Sequence, residues 1–145
     1  MRWILTSLVT LVIGISVLVA CEGNVFALKA GDCYNALVAS TEYTTEVSDV
    51  EVVKCDEPHT NEVYAVFDLP DSSWKGAEYF FEQADIVCRP KFEAFVGIEY
   101  DLSTLYSDVI YPSEESWNNG DRTVQCSVYE ESYMKVTGSA KGSKR

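Results

Sequence analysis

Five cysteines constrain what this 145-residue chain can fold into more than any other feature. The first, Cys21, ends an uncharged apolar run that begins at Trp3. The other four are spread through the rest of the chain: Cys33, Cys55, Cys88 and Cys126. An exported chain meets an oxidising compartment, where an even number of cysteines in a small domain indicates disulfide bonds. We therefore predict two disulfides in a single domain of about one hundred residues.

The N-terminal segment has the pattern of a membrane-directing signal, with Arg2 before the apolar run. The run ends in Leu18-Val19-Ala20-Cys21, which resembles the bacterial lipobox, where the cysteine after the cleavage site receives a diacylglyceryl group. We predict a lipoprotein signal peptide over 1–20, with Cys21 lipidated by acyl chains such as palmitate. Cys21 would then hold the chain at the cell membrane, on its extracytoplasmic face. A membrane-spanning helix that ends in a cysteine and an ordinary secretory signal peptide are the alternatives.

The formal net charge of −12 argues against several classes of partner. Nucleic acids and anionic membrane surfaces bind proteins through clustered Lys and Arg, so we expect no nucleic-acid partner. Zinc is not expected, because no two of the four later cysteines have C-x-x-C spacing and His59 is the only histidine. The chain also lacks phosphate-binding and dinucleotide-binding glycine motifs, and we predict neither a cofactor nor a metal site.

Hydrophobic alternation predicts five strands. They run from Cys33 to Val38, Val47 to Cys55, Glu62 to Leu69, Leu105 to Tyr111 and Arg122 to Tyr129. In the second, the apolar pattern shifts between Val52 and Val53, which indicates a bulge or burial on both faces. In the third, Val63, Ala65 and Phe67 are predicted to share the buried face. In the last, Val124, Cys126 and Val128 share one face.

A helical period replaces the alternation between the third and fourth strands. Apolar residues recur at steps of four, three and four residues, at Ala77, Phe81, Ala84 and Cys88, and Phe80 and Val87 lie alongside in the same stripe. The N-cap candidates are Asp71, Ser72 and Ser73. Pro90 is expected to end or kink this helix, and Gly97 to end a second short one. We predict an α+β fold: an antiparallel sheet of about five strands with one helix or a kinked helix pair packed on it.

The predicted elements also suggest how the cysteines pair. Cys88 lies on the apolar helix stripe and Cys126 on the buried face of the last strand, so a bond between them would join helix to sheet. Cys33 and Cys55 then remain as the second pair, at adjacent ends of two antiparallel strands. Residues 21–30 are predicted to be a short tether, 31–137 the folded domain, and 138–145 a mobile tail.

Several spaced motifs resemble the septum formation family of Gram-positive bacterial envelope proteins. They are "GDC" at 31–33, "CDEPHTNEV" at 55–63, "FVG" at 95–97, "WNNGDRTVQC" at 117–126 and "TGSAKG" at 137–142. The resemblance covers nearly all of the chain after the N-terminal segment. It implies a cell-envelope domain linked to cell division, and it brings no known enzymatic activity. Its members are often carried on a transmembrane helix or a longer flexible linker, from which this chain departs by its lipobox and short tether.

His59 is the sharpest candidate for chemistry. With Asp56 and Glu62 nearby, it could act as a general base or a metal ligand. The competing interpretation is structural: Pro58 after two acidic residues marks a turn, in which a histidine bonds backbone groups.

Trp117 and Arg122 are a second candidate, for binding, because an exposed Trp stacks on sugar rings and Arg grips carboxylates. The structural alternative is a tight turn at Asn119-Gly120, with Arg122 paired to Asp121 or another acid and Trp117 packed beside it. We favour the structural interpretation of both candidates.

The sequence contains no recognisable catalytic motif, and we expect that the chain is not an enzyme. The predicted function is a membrane-tethered binding or adaptor domain of the envelope, with an envelope or division protein as its partner. The runner-up is an envelope hydrolase that uses carboxylates and His59. A regulatory ectodomain that contacts a membrane protein is a third possibility.

Overall fold

The computed structural model describes residues 22–36, 49–70 and 73–145. The predicted signal peptide and the lipidation site Cys21 lie outside these ranges. The strands are β1 (Glu22–Asn24), β2 (Cys33–Ala36), β3 (Asp49–Val53), β4 (Asn61–Asp68), β5 (Tyr106–Ile110) and β6 (Thr123–Tyr129). The helices are α1 (Ala77–Val96) and α2 (Glu114–Asn118), with short 3-10 turns at Val25–Ala27, Tyr100–Leu102 and Glu131–Tyr133. None of the helices in the described ranges is long and apolar enough to cross a bilayer.

The strands form one antiparallel sheet in the order β1-β3-β2-β4-β6-β5. The five predicted strands are all present, as β2 to β6, and the predicted α+β class is confirmed. The additional strand, β1, comes from the segment predicted to be a tether, and pairs with β3. The same segment continues into the core, where Val25 and Leu28 are buried. Lys29 and Ala30 are exposed, but the N–H of Lys29 donates to Asp32 Oδ2 at 2.8 Å, so the described part of this segment belongs to the fold and is not a free tether.

Helix α1 covers one face of the sheet. Its buried residues recur every four positions and pack against β4 and β6: Phe80, Ala84, Cys88, Phe92 and Val96. The predicted stripe shares Phe80, Ala84 and Cys88 with this set, but Phe81 is 48% exposed.

Of the two predicted alternatives, one helix and a kinked pair, the structure has one helix, which continues through Pro90. The carbonyl that proline leaves without an N–H partner is that of Ile86, which is exposed, so water can bond it. The helix begins after Gly76, at a φ of 86°, so the predicted N-cap Ser73 does not cap it, and the other two candidates, Asp71 and Ser72, lie outside the described residues. Its end agrees with prediction, since Gly97 adopts the left-handed conformation there.

The opposite face of the sheet is also covered. A bulge in β4 between Val63 and Ala65 turns Val63 to this face, where it packs with Val25, Tyr34 and Val50. The prediction that Val63 shares a face with Ala65 was therefore wrong, and β3, where a bulge was expected, pairs with β2 in regular register. For β3 the sequence pattern predicted either a bulge or burial on both faces, and it could not distinguish between the two.

Both predicted disulfides are present. Cys33 bonds Cys55, with Cα atoms 5.2 Å apart, and Cys88 bonds Cys126, with Cα atoms 6.0 Å apart. The first joins β2 to the turn after β3, and the second fastens α1 to the central strand β6. For loops of 22 and 38 residues, the chain-entropy relation gives each bond about 3 to 4 kcal/mol of stability.

The C-terminal segment, predicted to be a mobile tail, packs on the end of α1. The N–H groups of Gly142 and Lys144 donate to the carbonyls of Phe95 and Val96, at 2.8 and 2.9 Å. Ala140 is buried in the core beneath α1. A polar, glycine-rich composition suggested mobility, but backbone hydrogen bonds need no apolar side chains.

Candidate functional site

His59 lies in the turn between β3 and β4, and its side chain is only 2% exposed. Its Nδ1 is 2.9 Å from the carbonyl oxygen of Glu57. Its backbone forms a two-way bridge with Val136, with N···O distances of 2.9 and 2.8 Å. Asp56, expected to be able to tune the ring, is exposed. This is the arrangement of a turn whose histidine bonds backbone groups.

Glu62, the other acid considered with His59, is 3% exposed. Its two carboxylate oxygens accept hydrogen bonds from Ser139 Oγ and the N–H of Ala140, both at 2.6 Å. Both donors belong to the "TGSAKG" segment, so this carboxylate holds the C-terminal segment on the sheet. Charge-assisted bonds of this kind are the compensation that a buried carboxylate requires.

A metal site could be imagined here, because Cys33 Sγ, a ring nitrogen of His59 and a carboxylate oxygen of Glu62 lie within 4.8 Å of one another. However, Cys33 is bonded to Cys55 and has no thiolate to offer. The cavity beside His59 and Glu62 has a volume of about 10 Å³, which is room for one water molecule at most. The geometry therefore favours a structural function for this cluster.

Trp117, the predicted stacking residue, is 1% exposed and packs edge-on against Phe80, with ring centroids 5.4 Å apart. The guanidinium carbon of Arg122 lies 4.0 Å from the centre of the indole ring. Arg122 Nη1 donates to the carbonyls of Trp117 and Asp121, both at 2.7 Å. Gly120 has a φ of 99°, as expected of the predicted turn. The indole is thus a core group covered by Arg122.

The structure also brings together a second set of residues, which includes Phe81, Ala84 and Cys88 of the predicted helix stripe. On the helix-covered face, α1 and β5 leave between them an open groove of about 170 Å³. Its walls come from four elements and include Tyr64 of β4, Phe81, Ala84 and Arg89 of α1, Tyr100 of the 3-10 turn, and Ser107 and Val109 of β5. The lining combines apolar side chains with the charged groups of Asp85 and Arg89. Small-molecule pockets measure roughly 300 Å³ or more, so this groove suits a single side chain rather than a whole ligand.

The polar groups of the groove are already ordered. Arg89 Nη1 donates to both carboxylate oxygens of Asp101 at 2.9 Å, and Arg89 Nε donates to Asp85 at 3.3 Å. The hydroxyls of Tyr64 and Ser107 hydrogen-bond at 2.7 Å. Burial raises the pKa of Tyr64 to about 12, so this hydroxyl keeps its proton at neutral pH. The groove thus offers fixed donors and acceptors beside an apolar wall.

One wall of the groove is an edge strand. Among the described residues, β5 pairs with β6 on one side and with no strand on the other. The N–H of Val109 donates to Asp108 Oδ1 at 2.8 Å instead of to a neighbouring strand. Because alternate residues of an antiparallel strand turn their N–H and C=O groups to the same side, Ser107 and Val109 both face the open edge. Burial raises the pKa of the Asp108 carboxyl above its usual range.

Comparison with known proteins identifies the family. The profile of the septum formation family matches residues 30–145. The chain belongs to this family. Neither the curated proteins nor the solved structures give a match. Membership places the chain among cell-division-related envelope domains.

Three of the motifs that carry the septum formation resemblance meet in one part of the fold. Gly31 of "GDC" donates its N–H to the carbonyl of Val63 at 2.7 Å, and Cys33 bonds Cys55. The N–H of Gly138 in "TGSAKG" donates to the carbonyl of Cys55. Together with the Glu62 contacts, these bonds give the three motifs a structural function, and the groove lies elsewhere, between α1 and β5.

The groove residues carry only weak signals in the sequence. Phe81 was placed in the core stripe, and one step along the helix separates its exposed position from the buried one of Phe80. The position of β5 at the sheet edge depends on strand order, which no local pattern encodes. The one sequence signal for the groove is the position of Phe81, which lies three residues before Ala84 and so departs from the four-residue spacing of Ala84 and Cys88.

Proposed function

We propose that this septum formation domain is a membrane-tethered binding module on the outer side of the cytoplasmic membrane, and that it binds a protein partner of septation or wall assembly. The observation that carries the proposal is the open, partly apolar groove beside the unpaired edge of β5. Grooves next to strand edges and helices are used for protein recognition because they offer both side-chain pockets and backbone groups.

The arrangement of the strands supports this orientation. β1 begins at Glu22, directly after the proposed anchor Cys21, and lies at one edge of the sheet. β5 lies at the other edge, five strand intervals away. At about 4.8 Å for each interval, the two edges are roughly 24 Å apart. An anchor at Cys21 would therefore hold the β1 edge near the bilayer and leave the groove accessible to proteins of the envelope.

In-cell photo-crosslinking tests the proposal. A photoreactive amino acid is placed at Phe81, on the groove, and in a matched variant at Lys54, which is exposed beyond the far strand β3. We expect the Phe81 probe to capture one defined envelope protein in intact cells of the source bacterium, and the Lys54 probe not to capture it. The same adducts from both positions, or none from Phe81, would contradict binding at the groove.

A further inference from the structure

We propose that the groove binds an extended polypeptide segment, which adds to the sheet as a strand beside β5 and places an apolar side chain between α1 and β5. This inference rests on the proposed function and specifies its partner. Ser107 and Val109 would supply the backbone hydrogen bonds, because their N–H and C=O groups face the open edge. Strand addition takes its affinity from such main-chain bonds and its specificity from pockets for alternate side chains.

Asp108 occupies the position that a partner's carbonyl would take. Its Oδ1 accepts the Val109 N–H at 2.8 Å, which satisfies an edge donor in the free protein. An unpaired edge is prone to unwanted association, and a carboxylate bound to it is one way to prevent this. The Asp108 carboxylate bonds only one N–H group and leaves the C=O groups of Ser107 and Val109 on the open side. An incoming strand would displace this one side-chain hydrogen bond and form several main-chain hydrogen bonds with β5.

The groove determines which side chains suit the partner. An apolar cavity of about 150 Å³ accommodates benzene, so a groove of about 170 Å³ suits one large apolar or aromatic side chain. Asp85 lines it and Asp101 pairs with Arg89 at its rim, so two carboxylates stand against the one positive charge of Arg89 among the residues of this site. The segment is therefore expected to carry apolar residues at alternate positions and a Lys or Arg beside them.

A second copy of the chain fits this edge poorly. Two β5 strands paired with each other would bring two Asp108 carboxylates to one short junction, and like charges facing each other across strands destabilise pairing. Each copy also carries a net charge of −12. Charge complementarity thus favours a basic segment of another protein.

A peptide pool tests the inference on the full-length chain in detergent. The pool contains heptapeptides with apolar residues at alternate positions and Lys at both ends, and binders are selected and measured by fluorescence anisotropy. The matched control for each binder has N-methyl groups on the amides that would face β5. We expect N-methylation to weaken binding by about tenfold or more, because it removes main-chain donors. Asp108→Ala should bind about three- to tenfold tighter, because no carboxylate has to be displaced.

A variant of the protein gives an independent readout. Val109→Pro removes the outward N–H, and proline is tolerated on an edge strand when its nitrogen faces solvent. We expect it to reduce peptide binding, and because Val109 also packs against the core, a circular dichroism spectrum like that of wild type is required to show that the variant is folded. If Val109→Pro unfolds the domain, the N-methylated peptides still decide the question.

Three results would overturn strand addition. They are a pool without binders, equal binding of N-methylated peptides, and self-association of the wild-type chain through β5. The proposed function fails separately, if the Phe81 probe captures no envelope protein. Capture at Phe81 without peptide binding would mean that the groove binds its partner in another way.

Discussion

Glu62 carries a carboxylate into the interior with both oxygens bonded to the C-terminal segment. Removing its charge should therefore weaken the attachment of residues 138–145. We expect Glu62→Gln to lower the free energy of unfolding by about 2 kcal/mol, because bonds to charged groups contribute about 1.5 to 3 kcal/mol each and the amide keeps part of them. Urea denaturation measures the change. Glu57→Gln, at an exposed position, is the control and should stay within about 0.5 kcal/mol of wild type.

His59 offers a direct measure of burial, because the chain contains only one histidine. With a side chain that is 2% exposed, the ring should react slowly with diethyl pyrocarbonate in the folded protein. We expect acylation to be at least about tenfold faster after unfolding, since reaction in the native state requires local opening. Mass spectrometry follows the adduct. Equal rates in the folded and unfolded chain would show a reactive, accessible histidine and would restore the catalytic interpretation.

Asp108 gives the domain a pH dependence of known sign. Because burial raises its pKa in the folded state, the carboxyl favours folding fully only below its unfolded pKa of about 3.9, and this contribution is lost as the pH rises through the folded pKa. Asp108→Asn should therefore have a higher melting temperature than wild type at pH 7, and the difference should shrink toward about pH 3. Asp56→Asn, at an exposed site, is the control. A gain that did not depend on pH would be inconsistent with a titrating carboxyl.

At the scale of elements, Pro90 lowers the stability of α1. Pro90 lacks the N–H that would bond the carbonyl of Ile86, and both residues are exposed. We expect Pro90→Ala to stabilise the domain by about 2 kcal/mol. The restored helix gains about 3 kcal/mol, and the greater freedom of the unfolded chain offsets up to about 1. Thermal and urea unfolding measure the gain, and Lys91→Ala, the next exposed position, should change little. No gain for Pro90→Ala would mean that the ring itself packs against a neighbour.

The positions of strands and helices were predictable because they depend on the local sequence pattern. Which side chains each strand or helix buries was less predictable. Strand alternation located β2 to β6, and the apolar positions of Cys88 and Cys126 led to the correct disulfides. The bulge at Val63 and the choice of Phe80 over Phe81 depend on packing between elements. The same is true of the groove, which exists only because β5 lies at the sheet edge. His59 and Trp117 attracted attention as rare residue types, and rarity does not distinguish core from surface.

At the scale of the molecule, the sheet links the proposed anchor to the groove. β1 starts one residue after Cys21 and pairs with β3, so the fold includes almost no slack between anchor and sheet. A partner at the β5 edge would therefore be met within roughly 24 Å of the anchored edge, by the estimate from strand spacing. Such a reach suits proteins that themselves sit in or on the membrane.

Cys21→Ala tests the anchor that this arrangement requires. If the cysteine receives lipid, the wild-type chain should have the mass of residues 21–145 plus its acyl chains, and the variant should carry no acyl chains. Cell fractionation and intact-mass spectrometry give the readout, and Cys21→Ser should behave in the same way. The domain should stay folded in the variant, because both disulfides join residues after Glu22. A wild-type chain in the membrane fraction with the mass of residues 1–145 and no acyl chains would instead identify residues 1–20 as a retained membrane segment.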